Sequence, residues 1–377
     1  MHSFAIQTIL SFCEGNYLFV AINREWKDTY ILLFKKTETR IGYCSPRQIK
    51  YAIDAHPAKY ELSHRTINSA AKLGNLDILK YFRWSKYSLW YENVCVCAAK
   101  GGHIEVLKWA RENDCPWDES INGCIDSGGY VDMLQWKQEK RNSWTGYDTC
   151  SAAAFSGHLD VLKWARKNGC PWDEYTCVDA VRGGNLEILK WVRANRCPWD
   201  VDTCKYAAKY GHLDILKWAR ENDCPWNEYT CAYAAKYEHL DVLKWARENG
   251  CPWDAHTCAD AAEEGHFEIL KWVRENGCPW NEWTCASAAK GGHLNILKWA
   301  RENGCSWDET TCSYAAYGGY LDILKWARAN SCPWNKQTCA LAVYSGHFDI
   351  LKWARKNGCP WDKYICIYAD KIPFMDA

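Results

Sequence analysis

The chain has 377 residues, and 46 Lys and Arg balance 46 Asp and Glu, so the formal net charge is zero. That balance excludes a nucleic-acid binder driven by phosphate neutralisation and a polybasic membrane-surface protein. With 48% hydrophobic and 24% charged residues the chain is globular rather than disordered, and two counts stand out, 23 Cys and 24 Trp.

Residues 5–22 are apolar but contain Gln7, Glu14 and Asn16, and no basic region precedes them. They read as neither a signal peptide nor a membrane span, and no other stretch approaches span length. The chain is therefore expected to be soluble, intracellular and cytoplasmic, with thiols kept reduced and no membrane partner. Ile9, Leu10, Phe12, Leu18, Val20 and Ile22 are followed by Arg24 and Trp26. This stretch resembles the core of an F-box. The resemblance implies docking to a ubiquitin-ligase adaptor through Ile9, Leu10, Phe12 and Trp26. On the residues alone, 1–66 also reads as a small helical N-terminal cap over the apolar end of a repeat array. Within it, 45–57 reads as the second helix of a degenerate repeat, with Ser45 as N-cap and Pro46 in the first turn.

From residue 67 the sequence repeats itself. Cys150, Cys177, Cys204, Cys231, Cys258, Cys285, Cys312, Cys339 and Cys366 are spaced by 27 residues, and less regular repeats begin at Ile67, Cys95 and Asn122. The pattern predicts eleven repeats over 67–365 and a partial one over 366–377. In the repeat of Cys204, Cys204, Ala207 and Ala208 fall at i, i+3 and i+4, which predicts a short helix with a narrow stripe of small side chains. Thr203 is the expected N-cap and Gly211 the expected left-handed stop. His212 opens a second helix in which Leu213, Ile215, Leu216, Trp218 and Ala219 are apolar, and Asp214, Lys217, Arg220 and Glu221 share the polar sector. Asn222 is the expected left-handed end of that helix, with Pro225 just beyond. Such helices cannot stand alone, because one repeat buries too little to offset about 1.5 kcal/mol of ordering per residue. Stacking on both neighbours is obligatory.

The run of two alanines, Gly-His and a hydrophobic helix, as in Ala207–Asn222, resembles the ankyrin repeat in the same register. It departs in its 27-residue length, shortened in the loop, and in its Trp-Ala-Arg and Cys-Pro-Trp segments. In these departures it resembles the short arrays of giant viruses, algae and oomycetes, which implies a setting inside an infected host cell. The resemblance implies an all-α, ankyrin-like helical repeat solenoid that acts as a protein-protein interaction scaffold.

The remaining chemistry is periodic. Nineteen of the 23 cysteines fall at position 1 or 21 of the repeat, counted from its Cys. They lack the tight pairs of a zinc site and read as small buried hydrophobes, with a thiol-based redox or metal response as the alternative. Position 9 carries His in seven repeats (103, 158, 212, 239, 266, 293 and 347) and Asn75, Tyr130, Asn185 or Tyr320 in the others, which suits a hydrogen bond at the helix start. Twenty of the 24 tryptophans occupy positions 15 and 23 and read as a buried core ladder. No phosphate loop, GxSxG or HExxH appears, and a periodic line of identical residues does not make an active site, so no enzyme activity, metal or cofactor is expected. Candidate binding residues are the aromatics where repeats differ: Tyr206, Tyr210, Tyr229, Tyr233, Tyr237, Trp283, Tyr314 and Tyr317, with Phe155, Tyr175, Tyr344 and Tyr364. The ankyrin resemblance implies that these positions line the concave face. The densest cluster, Tyr206–Tyr237, is interleaved by Lys205, Lys209 and Lys236, and Glu238 replaces the helix-ending glycine there.

Overall fold

A helix begins where an oxygen outside its first turn can take up free backbone amides. In each regular repeat that oxygen belongs to an Asp or Asn at position 24, held in extended backbone. The Asp200 carboxylate accepts from the Asp202 amide at 3.0 Å and opens the first helix, Val201–Lys209. Thr203, the expected cap, sits inside that helix. It is fully buried, and its hydroxyl oxygen has no hydrogen-bond partner. The helix therefore starts three residues earlier than Thr203 implied, because the cap is Asp200. Tyr210 and Gly211 end the helix, Gly211 at φ 72°, and the His212 amide donates to the Ala207 carbonyl at 2.9 Å.

The second helix, Leu213–Glu221, closes differently from the expectation. Asn222 stays near helical backbone at φ −111°, and its side-chain amide donates to the Trp218 carbonyl at 2.8 Å. The left-handed residue is the next one, Asp223 at φ 62°; five other repeats have glycine there. An asparagine that must reach back to a carbonyl on its own helix cannot also leave it, so the reversal falls one position later.

The computed structural model describes residues 64–83, 93–117, 119–141 and 148–361. The sequence-based N-terminal cap with Ile9, Leu10, Phe12 and Trp26, the 45–57 helix, Tyr364 and the partial repeat 366–377 lie outside the described residues. The described residues are all helical, with no strand, and form eleven helix pairs. They make an ankyrin-like helical repeat array. The chain divides into two compact units, Met1–Cys170 and Pro171–Ala377. The first holds four helix pairs and the second seven.

Within each compact unit the repeats interlock through small side chains. Cys204, Ala207, Ala208, Ile215, Leu216, Ala219 and Cys224 are all buried. In the second unit the first helices Val201–Lys209, Glu228–Lys236, Ala255–Glu263 and Glu282–Gly291 each pack closely on the next, while second helices approach one another less closely. The first-helix side is therefore the tighter side of that stack.

A polar clamp accompanies this packing. His239 Nε2 bonds to the Lys209 carbonyl of the preceding repeat at 3.0 Å, and His266 does the same to Lys236 at 2.9 Å. The His239 imidazole lies directly on Gly211, where a Cβ would come within 2.7 Å of its Cε1. Glycine is needed there twice over, for its positive φ and for the ring above it. Position 21 makes a link within each pair: after the second helix the Cys224 thiol donates to the carbonyl of Asp200, the cap of the first, at 3.5 Å, and Cys251 does so to Asn227 at 3.4 Å.

The tryptophans are not the buried ladder expected from their spacing. Trp199 and Trp218 are half-buried, meeting edge to face with centroids 6.0 Å apart, and the pattern recurs at Trp226–Trp245 and Trp253–Trp272. The Arg193 guanidinium covers Trp199 at 4.0 Å and donates to the Cys197 carbonyl. Indoles are too large for the Ala–Cys seam, so they form a rim that arginines seal from outside.

Glu238 occupies the left-handed glycine position at φ 65° and approaches His266 Nδ1 at 3.8 Å. Left-handed backbone costs a side chain about 1 kcal/mol or more. Glu238→Gly is expected to raise stability by about 1 kcal/mol. A higher urea midpoint with an unchanged slope checks this.

Candidate functional site

The side chains that build the stack are consumed by it, so what remains for recognition is the set of first-helix positions facing solvent. Positions 3 and 7 lie one turn apart on the same helix face. Tyr206 and Tyr210 thus share a face, and Tyr233 and Tyr237 repeat it on the next helix. Tyr206 and Tyr233 are half-buried, whereas Tyr210 and Tyr237 are 38% and 39% exposed. The Tyr206 and Tyr210 rings stack at 6.3 Å, and Tyr233 and Tyr237 lie 6.0 Å apart.

Two ammonium groups bind these rings together. Lys205 Nζ lies 5.0 Å from the Tyr206 ring and 5.6 Å from Tyr233 in the next repeat. It also pairs with Asp202 at 2.6 Å. Lys209 Nζ lies 5.7 Å from Tyr206, 5.6 Å from Tyr210 and 5.0 Å from Tyr237. Burial pulls the Lys209 pKa down, but the Tyr237 hydroxyl and the nearby phenols outweigh it and raise it above the usual lysine value. The lysines were visible in the sequence. Their seating between rings of successive repeats needed the structure.

The other candidates form smaller groups. Trp283 meets Tyr314 at 6.0 Å, and Tyr317 stacks on Tyr344 at 6.4 Å. Tyr229 is exposed on the first turn of its helix and has no ring partner among the described residues. Between the two aromatic areas the surface turns acidic. Asp260 and Glu264 hold Lys236 at 3.5 and 3.6 Å, and Glu263 pairs with Lys290 at 2.7 Å. Burial raises the Asp260 carboxyl above its usual value despite Lys236 beside it.

The thiols face inward. Position-1 and position-21 cysteines from Cys150 to Cys359 are buried, and Cys97 and Cys124 are half-buried. The neighbouring thiol of Cys224 together with burial pushes the Cys204 pKa far up, and the same holds for Cys231 beside Cys251. Enclosed thiols are out of reach of reagents. Among the described residues no group of three or more His, Cys, Asp or Glu side chains is placed to hold a metal ion. Nor is any described helix long and apolar enough to cross a membrane.

No family model matches the chain, and no curated protein matches it. Among solved structures, the human ASB11 ankyrin repeat domain is similar to it, with 16% identity and a TM-score of 0.34, over 42% of this chain and 84% of that one. A likeness of that size carries no functional argument. The ankyrin-like fold is read from the helix pairs and clamps themselves.

Native alkylation followed by peptide mapping is expected to label Cys97 and Cys124 before Cys204, Cys224, Cys231 or Cys251, which should react only on unfolding. Labelling of the last four at native rates would contradict their role as filler.

Proposed function

We propose that this chain is a protein-protein interaction scaffold with no catalytic activity of its own, and that its partner docks on the first-helix face of the Pro171–Ala377 unit. One observation carries the reading: the large aromatics at Tyr210, Tyr229, Tyr237, Trp283 and Tyr317 stand exposed on a face whose packing positions are filled by Ala and Cys. Tyrosine and tryptophan at such places supply contact area at low entropic cost, and interfaces are enriched in them. Tyr206, Tyr233 and Tyr314, half-buried, lie beside the exposed rings.

A photo-crosslinking amino acid placed at Tyr229, Tyr233 or Tyr317 of the full chain tests this. The same protein should be captured from all three positions and not from Glu221 on the second helix. The double substitution Tyr210→Ala with Tyr237→Ala should then weaken the complex by about 2 kcal/mol. Equal capture from Glu221 would sink the proposed face.

A finer form of the proposal rests on the F-box resemblance of the N-terminal stretch alone. In it the chain is a substrate receptor, and Ile9, Leu10, Phe12 and Trp26 dock a ubiquitin-ligase adaptor in the cytoplasm, within an infected host cell where the source is viral. Pull-down with the intact chain should recover such an adaptor and lose it on Phe12→Ala. Recovery of none removes the ligase role and leaves the scaffold untouched.

A further inference from the structure

The charges on the tyrosine face are unevenly satisfied. Asp202 holds Lys205, Asp179 holds Arg182 at 2.8 Å, and Asp260 with Glu264 holds Lys236. Lys209 has no carboxylate within ion-pair distance among the described residues; its ammonium lies instead over three tyrosine rings. A lysine on a bare helix surface sweeps a wide volume and loses that freedom when it binds. Here the rings of two successive repeats have already fixed the ammonium, with donors to spare.

We infer that this surface takes an acidic segment of the partner protein, with one carboxylate on the Lys209 ammonium and the neighbouring residue resting on the exposed edges of Tyr210 and Tyr237. The inference rests on the first-helix face being the docking face and names the chemistry that face selects. A charge-assisted hydrogen bond from a pre-positioned ammonium is stronger than a neutral one and costs little further ordering. The segment has a defined direction. Past Tyr237 it meets Glu238, Asp260, Glu263 and Glu264, which repel a continuing acidic run, so acidic residues end there and a basic or neutral residue follows. The same carboxylates disfavour a nucleic-acid strand, whose phosphates recur along its whole length.

Selection of a random dodecapeptide display library on the purified full chain tests the inference, using wild type, Lys209→Gln and Tyr237→Ala. Peptides rich in Asp or Glu are expected. Synthesised individually, they should bind Lys209→Gln about tenfold more weakly than wild type, and exchange of their acids for amides should cause a similar loss. Peptides without acidic residues that still fail on Tyr237→Ala would overturn the inference and leave the docking face standing. Peptides indifferent to both substitutions, or no selection at all, would count against both. Displacement of the peptides by a single-stranded oligonucleotide would overturn the acidic-segment assignment in favour of nucleic acid.

Discussion

Several junctions between neighbouring repeats are held by an imidazole laid on the turn of the preceding one. His239 covers Gly211 and bonds the carbonyl of Lys209, and in doing so fixes how closely one helix pair can approach the last. The small residues beneath, Ala207, Ala208 and Cys204, fill the space that this spacing leaves. A larger side chain at any of them would push the imidazole off its carbonyl, so packing and hydrogen bonding constrain each other. The cysteine-to-carbonyl link at Cys224 ties the end of the second helix to the cap of the first and so closes the pair on itself. With closed pairs and a seam of small side chains between them, a repeat too short to fold by itself becomes stable in company.

The rim has a different logic from the seam. Arg220 stacks on Trp226 at 4.2 Å while donating to the Cys224 carbonyl, so one guanidinium closes a loop and shields an indole together. Lysine could do only part of this, having no flat face and no fork of donors. Half-exposed indoles sealed in this way need not be read as ligand-stacking platforms, which leaves the first-helix tyrosines as the surface not already occupied.

Much of this was legible in the residues. The 27-residue spacing and the alternation of small and large apolar positions gave the helix pairs, and Gly211 and its left-handed backbone were readable from its place after an Ala-rich helix. Glu238 was readable as a rule-breaker for the same reason. Three local details were misread. Thr203 resembles a cap, but Asp200 stands three residues earlier and captures the amides first; the recurring Asp or Asn at position 24 was the available signal. Asn222 resembles a left-handed stop, yet its amide is spent on a carbonyl of its own helix. The tryptophans were assigned to the core because periodicity reports regular contact without reporting depth. The tyrosine cluster was visible as composition, whereas the seating of Lys209 among three rings depends on the distance between repeats, which no single repeat encodes.

The histidine clamp has a polarity. His239 reaches back from a later helix pair to a carbonyl of the earlier one, and His266 repeats the move. Each such segment brings its imidazole to an acceptor that already stands in place. During synthesis a helix pair leaving the ribosome meets this edge of its predecessor, while its opposite face waits for the pair that follows. The array is built to be laid down like courses of brick, from the amino end onward.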